Sequence, residues 1–168
     1  ASDDYATIGG GGGNDASATY FTIGGGLQNT GSAVSSYGTI AGGRNNHVRG
    51  TYSALVGGNN NWIDGTSTFI GGGSNNTGSG DVGVIVGGTR NCLGSAAGYT
   101  FIGGGYENSS SGDYAFIGAG RDNSAHGTNS IVVGGKRNSA TGFASAILGS
   151  TGSTASGKGT IAIGTELT

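Results

Sequence analysis

The stretch Gly152-Ser153-Thr154-Ala155-Ser156-Gly157-Lys158 has the outline of a phosphate-cradling loop, with glycines for close backbone approach and a lysine for phosphate charge. Such a loop needs Ser or Thr next, to reach a magnesium ion. The next residue is Gly159, and both glycines fall on columns of a repeat described below, so the match is read as coincidence. The G-x-G-x-x-G matches along the chain carry no more weight, because no crossover helix follows any of them. A calcium-binding roll would place Asp at each turn. Here Asn holds that position and the seven Asp are scattered. His47 and His126 are five units apart with Cys92 between them, and all three are read as solvent-facing turn residues rather than metal ligands. Catalysis needs a unique constellation, and this chain offers near-copies. No enzymatic activity, cofactor or metal is expected.

Two residue sets could bind a partner. Tyr5, Tyr20, Tyr37, Tyr52, Tyr99 and Tyr114 occupy one column of the repeat, interrupted by Ser67 and Val82. An aromatic strip of this kind could stack on sugars. The structural reading is that same-face neighbours pack on one another and stiffen a sheet, and it is the favoured one. Arg121 lies one unit below Lys136 and Arg137, an edge of cations suited to an anionic glycan or lipopolysaccharide. An ordinary solvated rim is again the favoured reading. Asn75-Asn76-Thr77 and Asn108-Ser109-Ser110 are glycosylation sequons, which matter only in a eukaryotic secretory route.

The positioning elements follow from the repeat. The chain has 168 residues, 41 of them Gly and none Pro. Glycine at that density excludes a helical domain, and the missing Gly-X-Y period excludes collagen. A flexible linker is excluded because the 33% of apolar residues are placed periodically. Aligned units end on Asn14, Asn29, Asn46, Asn61, Asn76, Asn91, Asn108, Asn123, Asn138, Ser153 and Thr168. The spacing is 15 residues, with two-residue insertions in the third and seventh units. Residues 1–168 therefore form a single repeat domain of eleven units.

Six before each anchor stands an apolar residue, Ile8, Ile23, Ile40 and Leu55 among them, mostly β-branched as strands prefer. The residues seven and five before the anchor face the other way. They include Phe69/Gly71, Phe101/Gly103, Val84/Val86 and Ile131/Val133, where a large side chain often pairs with a small one. Apolar residues thus lie on both faces of the strand, and the second face needs another chain. Three and four before the anchor is, in most units, a Gly-Gly pair, placed for positive φ and close backbone approach. The anchor Asn tolerates the left-handed region and, stacked coil on coil, should form a ladder. Two after the anchor a small or apolar residue recurs, and four after it, in most units, a Gly. Each unit reads as strand, tight turn, short strand, turn: one coil of a parallel β-solenoid. At ~4.8 Å per rung the rod is roughly 50 Å long.

The stretch from Asn138-Ser139-Ala140-Thr141-Gly142 through Thr160-Ile161-Ala162-Ile163-Gly164, with Ser153-Thr154-Ala155-Ser156-Gly157 inside it, resembles the head repeats of YadA-type trimeric autotransporter adhesins. Those repeats read roughly S-V-A-I-G-x-x-S-x-A-x-G, and phage and viral tail fibres carry similar ones. The resemblance implies a left-handed parallel β-roll, three copies packed side by side, and a fibre or adhesin on a cell or virion surface that meets a glycan or protein. A filament of subunits stacked end to end is the first alternative. An ice- or crystal-binding solenoid is the second, which the patchy Thr positions disfavour.

The net charge of −2 gives no reason to expect nucleic acid. No run of 18 apolar residues is present to span a bilayer. The start at Ala1-Ser2-Asp3-Asp4, without Met, reads as a processed product, an excised fragment or a sequence read directly from material. A solenoid needs its end coils covered. Either flanking segments do this, or the Thr160–Gly164 coil of one molecule stacks on the Ala6–Gly10 coil of the next.

Overall fold

The computed structural model describes residues 1–95 and 98–164. The anchor Thr168 lies outside the described residues. The fold is an all-β parallel solenoid of about ten turns, built from strands of two or three residues. One parallel sheet stacks eleven strands, from Thr7–Ile8 at one end to Ile161–Ile163 at the other. A second stacks ten, from Asp15–Ala16 to Thr154–Ala155. The register follows the repeat: Ile8 pairs with Ile23, Ile23 with Ile40, and Ile40 with Leu55. The two-residue insertions leave it intact, since Val84–Ile85 still pairs with Phe101–Ile102.

The core is the thin space between the two sheets. Residues six before the anchor point into it, and Ile23, Ile40, Ile70, Ile85, Ile102, Ile117 and Ile147 are all fully buried. From the facing sheet come the residues two after the anchor, including Val48, Ile63 and Leu93. Each coil thus adds interior side chains from both sheets, and an apolar column of the repeat becomes a continuous core. Phe21 is the largest buried side chain. Its ring occupies space left by Gly31 and Gly38, where a Cβ on either would fall onto the ring.

A third row, absent from the sequence reading, joins the coils at the residue two before the anchor. Single parallel bridges run from Gly12 through Leu27, Arg44, Asn59, Ser74, Thr89 and Tyr106 to Arg121 and Lys136, and Gly135–Lys136 pairs with Ser150–Thr151. Arg121 and Lys136, read from the sequence as part of a solvated rim, are held in this ladder by backbone pairing.

The Asn anchors form the expected ladder. The Asn76 side-chain amide donates to the carbonyls of Gly72 and Gly88, each at 3.0 Å, and to Asn61 Oδ1 at 3.1 Å. Its own Oδ1 accepts from the Asn91 backbone N–H at 2.9 Å. The same pattern recurs on Asn61, Asn108, Asn123 and Asn138. Where the repeat changes, Ser150 stands in a glycine position and donates to Asn138 Oδ1 at 2.8 Å. The anchors themselves are not left-handed. The residue before each takes positive φ, as in Gln28, Asn45, Asn60, Asn75 and Arg90. An anchor facing inward must present its amide to three backbone groups, and the turn is completed one residue earlier.

Candidate functional site

The surface divides into strips along the rod, each a column of the repeat. The tyrosine column lies in the turn that leads from the second sheet back to the first. Tyr5, Tyr20, Tyr37, Tyr52, Tyr99 and Tyr114 are all left-handed, with φ between 56° and 60°. They pack on one another as expected, but from a turn rather than a sheet face, so they bracket the turns instead of stiffening a sheet. Tyr5 and Tyr20 stack at 4.7 Å with planes 2° apart, Tyr20 and Tyr37 at 5.0 Å, Tyr37 and Tyr52 at 5.1 Å. Tyr99 and Tyr114 form the second run at 5.1 Å. Ring faces are spent on ring faces. Only the ends of each run keep a face for a sugar; the rest present edges and hydroxyls to solvent.

The cation edge is threaded by a carboxylate. Asp122 accepts from Arg121 Nε at 3.1 Å and lies 4.0 Å from Arg137 Nε. Lys136 stands on the bridged row beside them. One coil-step away, Arg90 donates to Glu107 at 2.9 Å and to the Tyr106 hydroxyl at 2.8 Å. The Arg90 hydrogen bond, helped by that from Tyr106, holds the Glu107 carboxyl below the usual carboxylate range. Arg121 lies 5.7 Å from the Tyr106 ring centroid. Arg121, Lys136 and Arg137 are thus brought together, with part of their charge offset by Asp122.

The outward face of the second sheet carries a pair that sequence reasoning missed. His47 and Trp62 stack at 3.9 Å, 8° from parallel, and Arg49 and Asp64 meet beside them at 3.6 Å. The signal was present, as His47 and Trp62 hold the same column of adjacent units. Strand pairing, not a turn, positions them. His47 and Cys92 therefore correct the turn reading: both are half-buried strand residues, at His47–Val48 and Cys92–Leu93. His126 is exposed just beyond the strand Ser124–Ala125.

Burial, then the Arg49 charge, lowers the His47 pKa below the ordinary histidine value, against a smaller opposing effect of Asp64. The neutral imidazole is favoured in the folded chain. That contribution to stability is present above the unfolded pKa and is lost as pH falls through the folded one. Trp62 is the single tryptophan. Its emission is expected to titrate below the ordinary histidine pKa, with Arg49→Gln moving the midpoint upward. A midpoint at or above that of a free histidine would contradict the stacked geometry.

The sequence's phosphate-loop outline, Gly152 to Lys158, is a left-handed turn at Gly152, the strand Thr154–Ala155 and a second turn, with Lys158 over the Phe143 ring at 5.5 Å. Of the sequon asparagines, Asn75 is exposed, while Asn108 is fully buried in the ladder. No helix among the described residues is long and apolar enough to cross a membrane.

The outward face of the first sheet is the remaining strip. Phe69, Phe116, Ile131, Val133, Leu148, Ile161 and Ile163 project from it, between 36% and 66% exposed. The large-with-small pairing is direct, since a Cβ on Gly71 would lie 3.3 Å from the Phe69 ring. Phe101 and Phe116 stack at 5.2 Å. No family model matches this chain, and no curated protein matches its sequence.

Proposed function

We propose that this chain is the structural and adhesive segment of a fibre outside the cell or on a virion. In this reading eleven coils wind left-handed, three copies pack side by side, and the outer strips are carried away from the anchoring surface to meet a glycan or protein. The observation that carries the reading is the exposed apolar face of the first sheet. A row of Phe, Ile, Val and Leu side chains left in water across successive rungs is more than a soluble single chain ordinarily exposes, and packing against copies covers it. The resemblance to autotransporter head repeats supplies the number three, the handedness and the location. The tyrosine run ends and the Arg121–Lys136–Arg137 edge are the surfaces left to face a receptor.

End-to-end stacking into a filament is the second reading. It is favoured by Thr7–Ile8, which pairs within the described residues on one side only and so offers an edge for another strand.

Sedimentation equilibrium tests the first reading. The expected mass is three times 16.1 kDa, independent of loading over a tenfold range of dilution. A single-chain mass in dilute native buffer would overturn it. Mass growing without limit would favour the filament.

A further inference from the structure

The Gly-Gly pair found in most units divides into two files of opposite character. The glycines three before the anchor are required by their own chain. Gly26, Gly43, Gly58, Gly73 and Gly88 have φ between 88° and 95°, and a Cβ on any of them would strike the carbonyl of the next coil. The file four before the anchor is different. At Gly10, Gly42, Gly57, Gly72 and Gly87 the backbone is outside the left-handed region and a Cβ would meet nothing within 4 Å. Ala119 holds the same column, so the coil accommodates a side chain there. Nothing within one chain calls for glycine at these five positions, and the file adjoins the apolar face of the first sheet; Gly104, with φ 155°, is the exception on it.

We infer that the glycine file from Gly10 to Gly134 is where a second copy of this chain comes into backbone-close contact, which places the first sheet, not the second, at the interface between copies. The inference rests on the side-by-side assembly proposed above and adds which face is covered and what sets the approach distance.

Three observations favour a second copy as the occupant. No charged residue stands at the positions seven, five or four before any anchor. Identical copies packed in parallel register bring identical residues together, and a charge-free strip is the one that tolerates this. By contrast, Asp15, His47, Arg49 and Asp64 occupy the outward side of the second sheet. The area is also sufficient. Eleven rungs at ~4.8 Å and four residues of extended chain give roughly 700 Å² per copy, or about 1,400 Å² for two, within the range of specific interfaces. Finally, copies of one solenoid share one rung spacing, so every glycine of the file meets an equivalent position along the rod.

The sixth coil supplies an internal comparison, since Gly87 lies on the proposed interface and Cys92 on the second sheet's outward face. The full chain as Gly87→Cys/Cys92→Ser is oxidised mildly beside the wild type. The expected result is a covalent dimer in denaturing gels from the variant and none from the wild type. In parallel, Gly72→Leu/Gly87→Leu is expected to keep the β-sheet circular dichroism and to dissociate at concentrations at least tenfold higher than the wild type. Cross-linking through Cys92 but not through position 87 would move the interface to the second sheet and overturn the inference. So would equal self-association of the leucine variant, which is also the outcome if the file meets a flat crystal or ice surface instead. In both cases a wild-type trimer leaves the side-by-side reading standing. A wild-type single-chain mass would end both.

Discussion

Gly73→Ala is expected to destabilise the solenoid by about 3–5 kcal/mol, while Gly72→Ala, its neighbour, is expected in the dissociated chain to be neutral or to stabilise by up to about 1 kcal/mol, any loss in the assembly coming from the contact between copies. Gly73 sits at φ 88°, where a Cβ would fall on the Gly88 carbonyl oxygen and 2.8 Å from both the Gly88 nitrogen and Asn76 Nδ2. The loss has two sources: left-handed strain for a residue with a Cβ, and a collision with backbone that moves only if the next coil moves. At Gly72 neither source exists, and alanine restricts the unfolded chain more than glycine does. Denaturant unfolding of the two variants, compared at constant m-value, reads the difference. Equal effects would mean that the two files do not differ as described.

Asn76→Leu is expected to cost about 3–5 kcal/mol and to lower the melting temperature by roughly 10 °C. Asn76 is fully buried. Leucine removes the donor to the Gly72 and Gly88 carbonyls and the acceptor for the Asn91 N–H. A buried amide left without an acceptor loses its water and gains nothing in return. Asn75→Leu next to it changes an exposed residue whose side chain points outward, and a loss near 1 kcal/mol from left-handed strain is expected there. A thermal melt of Asn76→Leu indistinguishable from that of Asn75→Leu would show that the ladder does not hold the coils.

Much of the fold was legible because a fixed period places like residues on top of one another. The column of Ile23, Ile40 and Ile70 reads as one strand face, and the Asn column as one ladder, before any geometry is known. What the period does not carry is the backbone angle at each column. Asn76 and Asn75 are the same residue type side by side; the buried one uses its amide for three backbone groups, and the exposed one takes the turn. The Gly-Gly pair looks uniform along the chain, yet Gly73 is demanded by its own coil and Gly72 is not. Tyrosine is not a residue that signals a left-handed turn, so the stacking of Tyr5 on Tyr20 was foreseeable and its place in a turn was not. The bridged row through Leu27, Arg44 and Tyr106 has no residue preference at all, since backbone pairing in register asks nothing of the side chain. His47 and Trp62 share one column, but a single aromatic pair does not recur along it, so the period does not mark it.

The candidate surfaces were legible as residues and less so as geometry. The six tyrosines and the Arg121–Lys136–Arg137 edge stand where the repeat puts them. Stacking closes the ring faces, and Asp122 offsets two of the cations.

In the proposed assembly the first sheet is the face that copies share. Electron cryo-microscopy of the full chain in solution, viewed down the rod, tests it most directly. The expected cross-section contains three coils, with first sheets and glycine files turned inward, tyrosine turns outward, and rungs repeating at ~4.8 Å along the axis. Single coils in cross-section, or copies joined through the face that carries His47, Trp62 and Cys92, would contradict it.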